Sequence, residues 1–233
     1  MSFLSALVEN AYNQIDRFHC LRIRRYYHRE PLDMLIDVGS HKGEFITLVA
    51  NPSINIICFE PQPEVMKELQ KKTKHYRVLR YFDCALGSKS AVSRFYQNRL
   101  TSTSSLAKPN TRSWWMKFKK TLVGGELITR EYDVVVRKLD DVLVEAKFEE
   151  VERASNILLK VDVEGRELDV LKGAENLLKS GKVRFVQLEN ARYQIYEEFS
   201  GGAEVYLKKF DFHKSASFTF PTLSFSDDIY AKD

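Results

Sequence analysis

Short apolar runs alternate with helix-length segments along most of this sequence, and that alternation restricts the fold more than any other feature. Met34–Val38 (MLIDV) reads as a buried strand, and Asn55–Phe59 (NIICF), Val78–Phe82, Ile157–Val161 (ILLKV) and Val183–Leu188 (VRFVQL) as further strands. Phe45–Ala50, Glu64–Lys72 and Glu167–Lys179 read as helices. The last puts Leu168, Leu171, Ala174 and Leu178 on one face and has Gly181 just past its end. Strands separated by helices are βαβ units, so the expected fold is α/β: a mainly parallel sheet with helices on both faces. Two regions depart from the alternation. Val92–Tyr96 and Tyr132–Arg137 are strand-like and enclose a Ser/Thr-rich stretch and Ser113–Lys120 (SWWMKFKK). Near the C-terminus, Phe218–Phe220 and Phe225–Tyr230 around Pro221 read as an antiparallel hairpin.

Ahead of the first strand, Phe3, Leu4, Leu7, Val8, Ala11, Tyr12, Ile15 and Phe18 recur at helical spacing. A basic stretch with Arg17, Arg22, Arg24, Arg25 and Arg29 follows. The chain divides into a helical extension, 1–31, and one α/β domain, 32–233, with an insertion at about 99–131. A length of 233 residues and 44% hydrophobic content suit a single core of that kind. The formal charge of +4 comes from basic residues mostly interleaved with acids, so no nucleic-acid partner is expected. Cys20, Cys58 and Cys84 match neither a zinc pattern nor a C-x-x-C pair and read as free buried thiols. No apolar run approaches the roughly 18 residues of a membrane span. The N-terminus has no basic region before its apolar residues, and Glu9 interrupts it, which argues against a signal peptide. A cytoplasmic protein is expected. Three roles suit SWWMKFKK: ordinary packing, a lid on the acceptor, or peripheral membrane contact shared with the N-terminal helix.

In a parallel sheet, ligands collect at the carboxyl ends of the strands. The first strand ends in Asp37-Val38-Gly39-Ser40-His41-Lys42-Gly43, where Gly39 and Gly43 allow a tight turn. The second ends in Phe59-Glu60-Pro61, and Glu60 lies 23 positions beyond Asp37, near the separation of a ribose-binding acid. The loop lacks the denser G-x-G-x-x-G spacing that a pyrophosphate demands, which argues against a nicotinamide cofactor. A phosphate-free cofactor with one ribose and an amino-acid tail, S-adenosylmethionine, fits the looser loop. Asp37 would assist near its ammonium. Asp162 and Glu164 follow the fourth strand, and Glu189 with Asn190 follows the fifth. Asp162 is the first candidate for acid/base work, then Glu164 and Glu189. Lys160, in a buried strand, needs an acidic partner. The three carboxylates would suit a divalent ion chemically, but no spacing demands one and none is expected. Of the five histidines only His41 lies in the loop. A binding or scaffold protein that kept the fold without catalysis is the alternative reading.

The segments IDVGSHKGEF, FEPQPE, CALG, LLKVDVEGRELDVLKGAE and VQLE occur in the order of the FkbM-type methyltransferase family, and the sequence resembles that family from about Leu32 onward. The resemblance implies a Rossmann-like S-adenosylmethionine-dependent methyltransferase that methylates oxygen on a small molecule or glycan. By position, Asp37, Gly39, Ser40 and Gly43 resemble the cofactor loop, and Glu60 with Pro61 the ribose-binding strand end. Asp83, Cys84 and Ala85 resemble the segment bordering adenine, and Asp162 the acid beside the reactive methyl. Ser40-His41 stands where the family more usually has Ala-Asn. Ser102–Glu131 matches only around Ser104-Ser105-Leu106.

Overall fold

The computed structural model of the chain describes residues 18–98, 104–108, 110, 128–191, 202–220 and 225–232. The expected helix at 3–17 and the SWWMKFKK segment lie outside them. The elements in chain order are α1 (residues 18–27), β1 (Met34–Val38), α2 (Glu44–Val49), β2 (Asn55–Phe59), α3 (Pro63–Thr73), β3 (Val78–Phe82), β4 (Ala85–Leu86), β5 (Ala91–Asn98) and β6 (Ile128–Arg137). Then come α4 (Leu139–Ala146), α5 (Glu149–Arg153), β7 (Ile157–Val161), α6 (Glu167–Lys172), α7 (Glu175–Lys179), β8 (Val183–Ala191), α8 (Ala203–Lys208), β9 (His213–Thr219) and β10 (Phe225–Ala231).

Seven strands form the main sheet in the order β3-β2-β1-β7-β8-β10-β9. The first five pair in parallel, and β10 runs antiparallel to both β8 and β9. Alternate residues of each strand face opposite layers, because side chains in a strand alternate. Ile36, Leu159 and Val186 pack with Leu139, Leu171, Leu178 and Leu207 on one side. Leu35, Leu158 and Phe185 pack with Ile23, Tyr27, Ile46 and Leu69 on the other. Helices therefore cover both faces, α4 to α8 on one and α1 to α3 on the other. Among the described residues, no helix is long and apolar enough to cross a membrane.

Residues 18–27, inside the helical extension expected at 1–31, form α1. Two findings differ from the sequence reading. Residues 85–86, 91–98 and 128–137 build a separate three-stranded sheet, β4-β6-β5, over a small core of Ala85, Phe95, Val134 and Val136. The helix expected over Glu167–Lys179 is two helices, α6 and α7, broken at Gly173-Ala174. Tertiary contacts explain the break. A Cβ on Gly173 would meet the Gly87 carbonyl oxygen at 2.1 Å, and the Gly173 carbonyl accepts a bond from Asp140 N at 2.9 Å. Cys58 and Cys84 are free and buried as expected, whereas Cys20 is only half-buried.

The break leaves the first amides of α7 without partners inside the helix. Buried Asp140 of α4 supplies them: its carboxylate accepts from Asn176 N at 2.8 Å and Leu177 N at 3.1 Å. Asp140→Ala should therefore cost about 2 kcal/mol or more of stability in urea unfolding, because a cap is lost and buried donors are stranded. Asp140→Asn should cost less, since its amide oxygen still accepts one bond. Equal stability of the alanine variant would remove Asp140 from this role.

Candidate functional site

Strand order reverses between β1 and β7, and the crevice at such a switch point is where open α/β sheets hold ligands. In register across this junction stand Cys58, Asp37, Lys160 and Gln187, neighbours on one face of β2, β1, β7 and β8. Asp37 is fully buried. The Lys160 ammonium stands 3.3 Å from its Oδ1, and neither Asp37 oxygen has a hydrogen bond, so the contact is an ion pair without donor alignment. The same ammonium lies 3.2 Å from Asp162 Oδ2 and donates to the Gly39 carbonyl at 2.9 Å. Burial raises the Asp37 carboxyl even against Lys160. Burial pulls the Lys160 ammonium down, but Asp162 and Asp37 outweigh it and hold it above its ordinary value.

The loop after β1 is set by close approaches. Gly39 has φ 76°, and a Cβ there would lie 1.9 Å from the Asp162 carbonyl oxygen, so only glycine lets the loop lie against the end of β7. Gly43 has φ 78° and starts α2 close against Thr73 and Leu69 of α3. Buried Ser40 donates its hydroxyl to the Asp37 carbonyl at 2.8 Å. His41 takes a left-handed φ of 46°, and its amide donates to Glu60 Oε2 at 3.0 Å. Glu60 Oε1 accepts from Gln62 N at 2.9 Å. Burial raises the Glu60 carboxyl despite these bonds. Glu60 thus ties the two loops together, with half-buried Pro61 beside it. After β3, Asp83 is exposed whereas Cys84 and Ala85 are buried.

Asp162, Glu164 and Glu189 converge: one carboxylate oxygen from each lies within 4.8 Å of the others. They form an acidic cluster of the kind that shares protons or surrounds a cation. Burial pushes the Glu189 carboxyl well above the carboxylate range, and Asp162, Glu164, Asp227 and Glu167 add to it. Glu189 lies inside β8, two residues short of its end, because β8 runs past the expected Leu188 to Ala191 beside β10. Glu164 sits at φ 58°, and Ser105 Oγ is placed to donate to its carbonyl at 2.7 Å.

Four residues near the site have no strong signal in the sequence. Ser105 was visible only within Ser104-Ser105-Leu106. Asp227 stands opposite Glu189 in the β8–β10 register, a pairing no local pattern reveals. His19 Nε2 meets Asp227 Oδ2 at 2.6 Å, and Gln187 Nε2 donates to Oδ1 at 2.8 Å. Glu167 reads as an ordinary acid in a first helical turn, yet it is buried and accepts from Gly165 N at 2.9 Å.

Burial, with Asp162 and Glu164 adding to it, pushes the Glu167 carboxyl up to about 7 from 4.5. A raised folded-state value means that folding favours the proton. The stability this contributes is complete below the ordinary value and is lost as pH rises through about 7. Glu167→Gln stays neutral throughout. Urea unfolding across this pH range should therefore show the stability difference moving toward the variant as pH rises, by on the order of 3 kcal/mol. A pH-independent difference would contradict the assignment.

The sequence profile of the methyltransferase FkbM domain matches residues 37–214, more than half of the chain. The chain is similar to 2-O-methyltransferase NoeI of Sinorhizobium fredii, with 24% identity over 72% of this chain and 67% of that protein. It is also similar to Methyltransferase 1 of Beauveria bassiana, with 28% identity over 61% of this chain and 58% of that protein. The chain thus spans from somewhat over half to about two thirds of the length of these relatives. Among solved structures, an S-adenosylmethionine-dependent methyltransferase of Leishmania major aligns over 96% of this chain and 76% of that one, at 13% identity and TM-score 0.49. The profile match runs from the buried Asp37 through both loops, the acidic cluster and the turn into β9, and on it the chain belongs to the FkbM family of S-adenosylmethionine-dependent methyltransferases.

Proposed function

We propose that this chain methylates a hydroxyl oxygen of a small molecule or sugar, with the acceptor held over the ends of β7 and β8. The convergence of Asp162, Glu164 and Glu189 carries this reading. An acidic surrounding keeps an amine protonated and a thiol un-ionised, and so suppresses both as nucleophiles. A hydroxyl carries no charge at neutral pH and finds acceptors for its hydrogen there. The name 2-O-methyltransferase borne by one relative agrees with an oxygen acceptor.

The donor set also suits the cofactor. Acids outnumber the one buried ammonium of Lys160 around the described strand ends, and S-adenosylmethionine carries a sulfonium and an ammonium. When bound, it supplies an electrophilic methyl whose leaving group departs neutral. In this reading Glu60 accepts from the ribose hydroxyls, with Pro61 shaping that strand end. The loop of Asp37, Gly39, Ser40 and Gly43 receives the amino-acid tail, and Asp83, Cys84 and Ala85 border the adenine. Asp162, oriented by Lys160 at 3.2 Å, takes the acceptor's proton as its oxygen bonds to the methyl carbon. Glu189, whose carboxyl is raised, donates a hydrogen bond to the acceptor, and Glu164 accepts one. The chain's residues mainly align the acceptor oxygen at about 3 Å from the methyl carbon, which supplies much of the acceleration.

A labelled-methyl screen over sugars, glycans and hydroxylated metabolites tests the acceptor class: label on oxygen is expected, and label on nitrogen would overturn the reading. Two variants test the residues. Glu60→Ala should weaken S-adenosylmethionine binding in calorimetry by about 1.5–3 kcal/mol. Asp162→Asn should lower kcat far more than it weakens the cofactor. Unchanged affinity in a folded Glu60→Ala protein would take Glu60 out of the site, and unchanged turnover in Asp162→Asn would pass the base role to Glu164.

A further inference from the structure

The outward face of α1 serves neither the core nor the site. The inward face is pinned firmly: His19 bonds to Asp227, Tyr27 donates to Gln187 Oε1 at 2.9 Å, and Ile23 is buried between them. Tyr26 meets Ser215 Oγ at 2.7 Å, and the Arg22 guanidinium sits 5.2 Å over the Phe218 ring. These contacts fix which side of the helix faces water. That side presents Phe18, 61% exposed, and Leu21, 41% exposed, together with exposed Arg24, Arg25, His28 and Arg29. Phe18, Leu21, Arg25 and His28 follow one another at three- and four-residue spacing, so they form one stripe.

Among the described residues, Arg24, Arg25 and Arg29 have no carboxylate partner. Several other surface cations are paired, as in Lys42–Glu68, Lys72–Glu44, Arg153–Glu149 and Lys179–Glu175. In the sequence, the apolar spacing of Leu4, Leu7, Val8, Ala11 and Ile15 leads up to Phe18.

We infer that this face of α1 docks on an anionic phospholipid surface. Phe18 and Leu21 enter the boundary between headgroups and acyl chains, and Arg24, Arg25 and Arg29 meet the phosphates. A helix carrying exposed apolar residues at one end of an arginine row gains from both halves of such a surface. RNA would engage the arginines but would give Leu21 no apolar partner, so the lipid surface accounts for more of the face. The inference goes beyond the methyl-transfer reading and does not depend on the acceptor.

The full chain would be sedimented with vesicles of phosphatidylcholine alone and of phosphatidylcholine mixed with phosphatidylglycerol. Binding is expected only to the mixed vesicles, and raised salt should weaken it. Arg24→Glu with Arg25→Glu should reduce binding by about tenfold or more, and Phe18→Ser with Leu21→Ser by severalfold. Thermal melts matching the wild type would show that these outward changes leave the fold intact, and Arg24→Gln with Arg25→Gln should give an intermediate loss. Equal binding to neutral vesicles, no binding by the wild type, or unaltered binding by folded variants would overturn the inference. Tight binding to a single-stranded RNA that Phe18→Ser with Leu21→Ser leaves unchanged would also overturn it, in favour of nucleic acid.

Discussion

One buried ammonium holds the centre of this molecule together. Lys160 points from the middle of the sheet between Asp37 of β1 and Asp162 after β7, and it also bonds the carbonyl of Gly39. Placing a lysine in a strand whose neighbours are Leu159 and Val161 would cost several kcal/mol if its charge were unanswered. Its three partners come from either side of the switch point, so the pairing closes the crevice where β1 and β7 separate. Remove that charge and Asp37 becomes a carboxylate out of water with no cation beside it. The loop that begins at Gly39 and the acid at the end of β7 therefore hold their positions through the same group. The left-handed Gly39, which lets the loop backbone come against Asp162, makes this geometry possible.

Around this ammonium the charges are arranged by depth. Asp37 and Glu60 are deeply buried; Asp37 is ion-paired with the Lys160 ammonium, and Glu60 accepts from the His41 and Gln62 amides. Asp162, Glu164 and Glu189 are partly open, and Glu189 carries a raised carboxyl. That gradient suits a cationic donor lying over the loop and a neutral hydroxyl approaching from the β7–β8 side. Helix α1 belongs to the same construction. Its His19 reaches Asp227, which faces Glu189 across the ladder, so the helix that carries an exposed basic face also braces the acidic side of the crevice.

Much of this was legible in the sequence, for physical reasons. β1, β2 and β7 have the bounds expected from their apolar runs, because a strand covered on both faces must be largely apolar, and the half-buried edge strand β3 keeps its expected bounds as well. Glu60 was legible because strand–turn–helix spacing fixes where a second strand ends. The antiparallel C-terminal pair was legible from the apolar runs on either side of Pro221. What stayed hidden depends on contacts distant in sequence. Nothing near Gly173 shows that Gly87 and Asp140 will divide one helix into two. Glu167 looks like a solvated acid in a first helical turn, and only the packing of the fold shows that it is buried. The small sheet of β4, β5 and β6 pairs residues thirty or more positions apart, and only its pairing register reveals it. Asp227 and His19 meet across 208 positions, beyond the reach of any local pattern.

A crystal structure of the complex with S-adenosylhomocysteine tests the account most directly. It predicts the ribose hydroxyls on the Glu60 carboxylate, the thioether sulfur on the Asp162 side of the crevice, and Lys160 still between Asp37 and Asp162. A ribose bound away from Glu60, or a thioether directed away from Asp162, would contradict it.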